Sequence, residues 1–328
     1  EAVGRNELLQ SIGSGVMEGL AGRSEIARRT LVAQRGGTPQ SEAAVESGLA
    51  WLAAHQFPDG SWNFDHRAGV CQGRCRDQGD LGSAPLGATA LALLPFLGAG
   101  HTHLSGKYQA NVAGGLRYLV AHMRGGSLMD GGTMYSHGIA TIALCEALAL
   151  TQDRSLAAPA QAAIGWIVEA QDPAGGGWRY VPRMPGDTSV TGWQIMALKS
   201  AHLSYLRVPR TTVERAFHFL DLVQADDGAA YGYVAPGDAL GTTSVGLLCR
   251  MYGGWDRYTP GLVRGVERLA RDGPSPANMY YNYYATQVLH HYDDPELWKP
   301  WNEAMREQLI GRQSHVGHES GSWYFGAP

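Results

Sequence analysis

Two kinds of apolar pattern alternate along the chain. The first is one-sided: in "SEAAVESGLAWLAAH" and "TTVERAFHFLDLV" apolar residues recur at helical spacing on one face and polar residues fill the other. The second is apolar nearly all round and rich in small residues, as in "SAPLGATALALLPFL", "SHGIATIALCEALAL", "TSVTGWQIMALKSA", "TTSVGLLCRMY" and "YYNYYATQVLHHY". A helix of the second kind has to be buried on every side. Strict alternation of the two predicts an outer ring of helices packed around an inner ring. Start signals agree: Thr211 with Glu214 has capping-box spacing, and Asp294-Pro295 reads as a cap followed by proline at the first helical position.

The one-sided helices end in a recurring joint. "GLAWLAAHQFPDGSW" carries an aromatic, then Gln56, then Asp59-Gly60 and Trp62. "AIGWIVEAQDPAGGGW" repeats this with Gln171 and Trp178, and "QLIGRQSHVGHESGSW" with Gln313, Gly321 and Trp323. "AFHFLDLVQADDGAAY" keeps Gln224 and Gly228 but puts Tyr231 where the tryptophan stood. Two weaker copies are "GLRYLVAHM", with Met123 in the glutamine position, and "GVERLARDG". This is an irregular helical repeat. In each copy the glutamine amide can serve unpaired backbone groups at a helix end, the glycine turn reverses the chain, and the aromatic covers the junction.

Composition narrows the setting. The 328 residues are 44% hydrophobic and 17% charged, with room for a large core, and the net charge of −4 gives no electrostatic case for nucleic acid. No apolar run reaches the ~18–20 residues of a membrane span. The chain starts at Glu1, not Met. A signal or anchor upstream is therefore expected to have been removed or left out, which leaves an extracytoplasmic or membrane-anchored setting open. Four cysteines are too few for a disulfide scaffold. Residues 1–40 read as a helical extension around "SEIARRTLVAQ", and 41–328 as the repeat domain.

The Gln-to-Trp signature resembles the repeat of squalene–hopene and oxidosqualene cyclases, and it is similar to the prenyltransferase and squalene oxidase repeat of protein prenyltransferase β subunits. "CQGRC", "GGGWRY", "GDTSVTGWQIMALKS", "GLLCRMY" and "YYNYYATQVLHH" look more narrowly like a planctomycete subgroup of squalene-cyclase-like proteins. The resemblance implies an all-α fold, an α/α toroid of about six outer and six inner helices around a central cavity. The sixth inner helix is expected to be absent, because it would begin just after Trp323.

In such a toroid the starts of the inner helices converge on one mouth, where the resemblance puts catalytic groups. Asp187, in "DTSVTG", matches the first position of the cyclase D-x-D-D-T motif, but Ser189 and Val190 stand where the next two aspartates belong. Serine is too weak an acid to protonate an alkene, so squalene-type cyclisation is not expected. The zinc ligands of prenyltransferases, an Asp, a Cys and a His, are not reproduced at the matching starts. What remains for catalysis is Asp187 with His137, each with a structural alternative as a helix cap or hydrogen-bonded group. Tyr135, Trp193, Tyr280, Tyr281, Tyr283, Tyr284 and His291 are the expected substrate-binding residues, since aromatic faces suit isoprenoid chains and cations. Tyrosines also fill cores.

"FDHRAGVCQGRC" adds His66, Cys71 and Cys75, which suit zinc; a Cys71–Cys75 disulfide explains the same pair. Three functional classes follow. The first is an isoprenoid-binding toroid without the cyclase acid, its ligand a hydrophobic small molecule or lipid. The second is a non-catalytic scaffold. The third is a Cys/His zinc-dependent transferase on the same fold.

Overall fold

The computed structural model describes residues 30–326 except 33, 68, 77, 78 and 80, and most of the expected N-terminal extension lies outside that range. Eleven α-helices lie wholly within the described residues. They are α1 (Pro39–Ala54), α2 (Pro85–Gly98), α3 (Gln109–His122), α4 (Met134–Thr151), α5 (Ala157–Ala170), α6 (Thr188–Leu203), α7 (Arg210–Val223), α8 (Leu240–Tyr252), α9 (Pro260–Asp272), α10 (Met279–Tyr292) and α11 (Pro295–Arg312). The odd-numbered helices form the outer layer. The even-numbered ones pack side by side inside it, in the order α2, α4, α6, α8, α10. The expected toroid is therefore present, with six outer and five inner helices among the described residues. Its only described strand pair is β1 (Gln224–Ala225) against β2 (Ala230–Tyr231), inside the fourth joint.

The inner helices are buried as their composition requires. In α4 every residue from Met134 to Cys145 except Tyr135 is buried, and in α6 every residue from Thr188 to Leu198. Small residues let them approach closely: a Cβ on Gly192 of α6 would fall 2.3 Å from Val245 Cγ1 of α8. Asp294 caps α11 as its sequence suggests, its Oδ1 accepting from the Glu296 amide. The capping box at Thr211 does not form. Helix α7 starts two residues earlier than such a box would place it, at Arg210, with Pro209 extended at the cap position and no side-chain capping bond.

The joints share one wiring. Gln56 Nε2 donates to Gly60 O in its own turn and to Asn111 O in α3, both at 2.9 Å. Gln171 Nε2 does the same to Gly176 O at 2.7 Å and Thr212 O of α7 at 2.9 Å. Gln313 Nε2 reaches Gly321 O at 2.9 Å and Ala44 O of α1 at 2.8 Å, so the last outer helix is bound to the first and the ring closes. Each tryptophan returns its indole N–H to the preceding helix: Trp62 to Leu52 O, Trp178 to Ile167 O and Trp323 to Leu309 O, at 2.7–2.8 Å. The turn glycines Gly60, Gly176 and Gly321 have φ of +93°, +80° and +97°, and a Cβ there would strike a backbone carbonyl of the neighbouring outer helix. Only glycine meets both demands. In the fourth joint Arg250 takes over, donating to the Tyr231 hydroxyl at 3.0 Å, to Gln224 Oε1 at 3.2 Å, and to Asp221.

Candidate functional site

Several polar residues at the starts of the inner helices are held by the fold. His137 is fully buried; its Nδ1 accepts from the Leu128 amide at 3.1 Å and its Nε2 bonds Ala163 O at 3.1 Å. With both ring nitrogens engaged, and burial holding its pKa down at about 3, it is a neutral brace between α4 and α5, not a catalytic base. That corrects the expectation for His137. Asp187 caps α6, Oδ1 accepting from the Val190 amide at 2.8 Å. Its carboxyl is inaccessible, and burial raises its pKa. Oδ2 makes no hydrogen bond of ordinary geometry; the Tyr233 hydroxyl and Arg179, whose Nε is 3.9 Å away, partly offset the effect of burial. The Thr188 hydroxyl donates to Gly232 O and the Thr242 hydroxyl to Tyr231 O, both at 2.6 Å. Tyr135 packs against Tyr180, ring centroids 6.0 Å apart.

A cavity lies further along the inner helices. It measures about 830 Å³ and is walled largely by the C-terminal halves of the inner helices together with α10. Of the expected binding residues, Trp193, Tyr280, Tyr283 and His291 line it, and Trp193 stacks on Tyr283 with centroids 5.6 Å apart. Three do not line it. Tyr281 turns outward, donates to Gly273 O at 3.1 Å and packs on Trp301; Tyr284 is fully buried behind Trp193; Tyr135 stays at the start of α4. A helix presents only part of its circumference to the bore, so consecutive tyrosines cannot all face it. The rest of the lining is mainly apolar, including Leu94, Ile142 and Met196, with Glu146, Lys199 and Gln287 among its polar members. Lys199 Nζ lies 3.9 Å from the centre of the Tyr252 ring. Burial, with Lys199 adding to it, holds the His291 pKa down at about 3. The sequence reading missed Glu146 and Lys199. Their signal was a charge in the middle of an otherwise buried helix.

Two pairs of adjacent aspartates, Asp226–Asp227 and Asp293–Asp294, do not line this cavity: Asp226 pairs with Arg264, Asp293 with Arg35, and Asp294 caps α11.

A second constellation sits where the last joint meets the first. Cys71 and Cys75 are both buried and are not bonded to each other in this structure. They face His55, at the end of α1, and His318, in the loop after α11; the four ligand atoms all lie within 4.8 Å of one another. His66 was the expected third ligand. It packs edge-on against His55, centroids 5.3 Å apart, but is not part of this set. His55 was hidden because it precedes Gln56 inside a repeat joint, and His318 because it lies 243 residues from Cys75. Burial pushes the Cys75 thiol up to about 11, with Cys71 adding to it. Cys75 also borders a second cavity of about 960 Å³, between α1, Pro95 of α2 and the loop after α11.

No protein-family model matches the sequence, and no curated protein does. Solved structures do match. The type II terpene cyclase MstE from Scytonema, without ligand, is 16% identical with a TM-score of 0.58, over 87% of this chain and 81% of the cyclase. A variant of it with its product merosterolic acid A gives 14% identity and the same TM-score, over 87% and 82%. An α-1,6-mannanase of a Salegentibacter species, in complex with α-1,6-mannotriose, gives 12% and 0.55, over 82% and 84%. One is a terpene cyclase and the other a glycosidase, so the shared toroid settles the fold and leaves the chemistry to the site.

Proposed function

We propose that the protein binds an isoprenoid-like hydrophobic ligand in the central cavity, without squalene-type protonation of it. The observation that carries this reading is the lining: aromatic faces of Trp193, Tyr280 and Tyr283 beside Leu94, Ile142 and Met196 in about 830 Å³. That volume falls within the range of cavities that enclose small ligands, and a mostly apolar wall with a few polar groups suits a prenyl chain bearing a polar end. Glu146, Lys199, Gln287 and His291 are the groups for that end. A variant of the neighbouring cyclase, solved with geranylgeranyl dihydroxybenzoate, has a ligand of this type, which supports the choice of class. A glycan ligand is disfavoured because the wall is mostly apolar and offers few polar groups to sugar hydroxyls. Cyclisation started by protonation is disfavoured because Ser189 and Val190 stand where acids would be needed.

Tryptophan fluorescence tests this directly, since Trp193 is in the wall. Geranylgeraniol should quench it saturably, and Met196→Arg should weaken binding at least about tenfold. Equal binding by wild type and Met196→Arg, or none by the wild type, would remove the proposal.

A further inference from the structure

The Cys71–Cys75–His55–His318 cluster shares no residue with the lining of the central cavity, and neither the fold nor the proposed ligand accounts for it. We propose that it is a four-coordinate zinc site that clasps the last repeat of the ring to the first.

Two of the ligand–ligand distances match a tetrahedral set, and the others lie within 4.8 Å. Zinc–sulfur bonds of about 2.3 Å and zinc–nitrogen bonds of about 2.0–2.1 Å put neighbouring S and N ligands about 3.5 Å apart. His55 Nε2 lies 3.4 Å from Cys75 Sγ, and His318 Nδ1 lies 3.3 Å from it. The outer contacts orient the ligands as metal sites require. His55 Nδ1 is 2.7 Å from Trp51 O, which places the ring proton on Nδ1 and leaves the Nε2 lone pair directed at the thiols. The Cys75 amide donates to Cys71 Sγ at 3.4 Å, a contact that favours thiolate at that sulfur. His55 is held flat by stacking on Trp51, centroids 4.0 Å apart. Two thiolates and two neutral imidazoles neutralise a divalent cation, and the two thiol protons leave to solvent on binding. Two sulfurs and two nitrogens in a tetrahedron select zinc over the hard oxygen-preferring cations.

The role follows from the connectivity. His55 ends α1, Cys71 and Cys75 lie in the loop from α1 to α2, and His318 lies in the loop after α11. The bond from Gln313 to Ala44 O and the pair of Arg76 with Glu319 cross the same seam. With four protein ligands no coordination position is left open, so the ion holds structure and does not activate water. It would fix the wall of the second cavity, which Cys75 and Glu319 both line.

The test is metal content and spectroscopy of the protein purified without chelators. We expect about one zinc per chain, falling to about a tenth or less in Cys71→Ser and Cys75→Ser. His318→Ala, in a partly exposed loop, should lose zinc while the helical fold survives, and His66→Asn should keep it. Cobalt replacing zinc in the wild type should give the visible bands of a tetrahedral thiolate complex, a readout that needs no variant to fold. Removing the metal should speed hydrogen exchange at 314–322 at least about tenfold. A wild type without zinc and without cobalt bands would overturn the proposal. So would zinc retained in Cys71→Ser, or a site lost in His66→Asn and kept in His318→Ala. Neither result bears on ligand binding in the central cavity.

Discussion

At the starts of α4 and α6, His137 and Asp187 spend most of their polar capacity on backbone groups, whereas further along the same helices Glu146 and Lys199 face a cavity. Both regions are polar positions in buried helices, and sequence pattern treats them alike. The difference lies in what the neighbouring chain requires. Every outer-to-inner loop enters at the helix starts, so that end has many loop amides and carbonyls that need partners. In the bore, Glu146 and Lys199 border a cavity whose wall is mostly apolar, so their polarity is set where a ligand would meet it. Polarity at the joint end is therefore a weak sign of function in this toroid, and polarity in mid-helix is a stronger one.

The largest effect should come from breaking the joint end. Trp178 is 1% exposed, and its indole N–H donates to Ile167 O while its amide donates to the Thr191 hydroxyl at 2.9 Å. Trp178→Ala should cost about 3–5 kcal/mol from the cavity and lost packing. Ligand affinity of the fraction still folded should not change. Denaturant unfolding and fluorescence quenching, measured on the same variant, check the two halves. A drop in affinity with stability intact would dissolve the distinction between the regions.

A pH series comes next. His137 has a folded pKa of about 3 against an ordinary value of 6.5, so the unfolded chain takes up the proton first. Stability from this group is complete above about 6.5 and is lost as pH falls toward about 3, by up to about 1.4 kcal/mol per pH unit. His291 is depressed in the same direction, to about 3, and adds to the slope. His137→Gln, whose amide can still meet one backbone partner, should lower stability at pH 7 and flatten the acid slope. An unchanged slope between pH 7 and 5 would mean that His137 is not a buried neutral brace.

These contrasts also mark what the sequence could and could not say. The alternation of helix types and the Gln-to-Trp joints were readable because each repeats a local pattern, so the toroid was legible before any coordinates. The bore was legible in part: Trp193, Tyr280, Tyr283 and His291 line it, but a run such as Tyr280–Tyr284 does not reveal which members point inward. The Cys/His cluster was half legible. Cys71 and Cys75 are four apart, but their partners come from a helix end and from a loop at the other end of the chain, contacts set by ring closure and by no local spacing.

The smallest effect sharpens the comparison most, because Asp187 is the joint-end residue with something left over. Oδ1 is spent on the cap, but Oδ2 is buried with no hydrogen bond of ordinary geometry, only the nearby Tyr233 hydroxyl and Arg179 favouring its charge. Burial raises its folded pKa above the ordinary 3.8, so ionisation costs the folded state more than the unfolded one. The resulting penalty sets in as pH rises above about 3.8 and is complete once pH exceeds the folded pKa. Asp187→Asn keeps an oxygen for the Val190 amide and removes the charge. At pH 7 it should change stability by less than about 1 kcal/mol, with gain more favoured than loss, whereas Asp187→Ala should lose about 1 kcal/mol with the cap. Ligand binding in the bore should be the same in both. If Asp187→Asn instead weakens geranylgeraniol binding at unchanged stability, the carboxyl acts on the ligand, and the joint end holds chemistry after all.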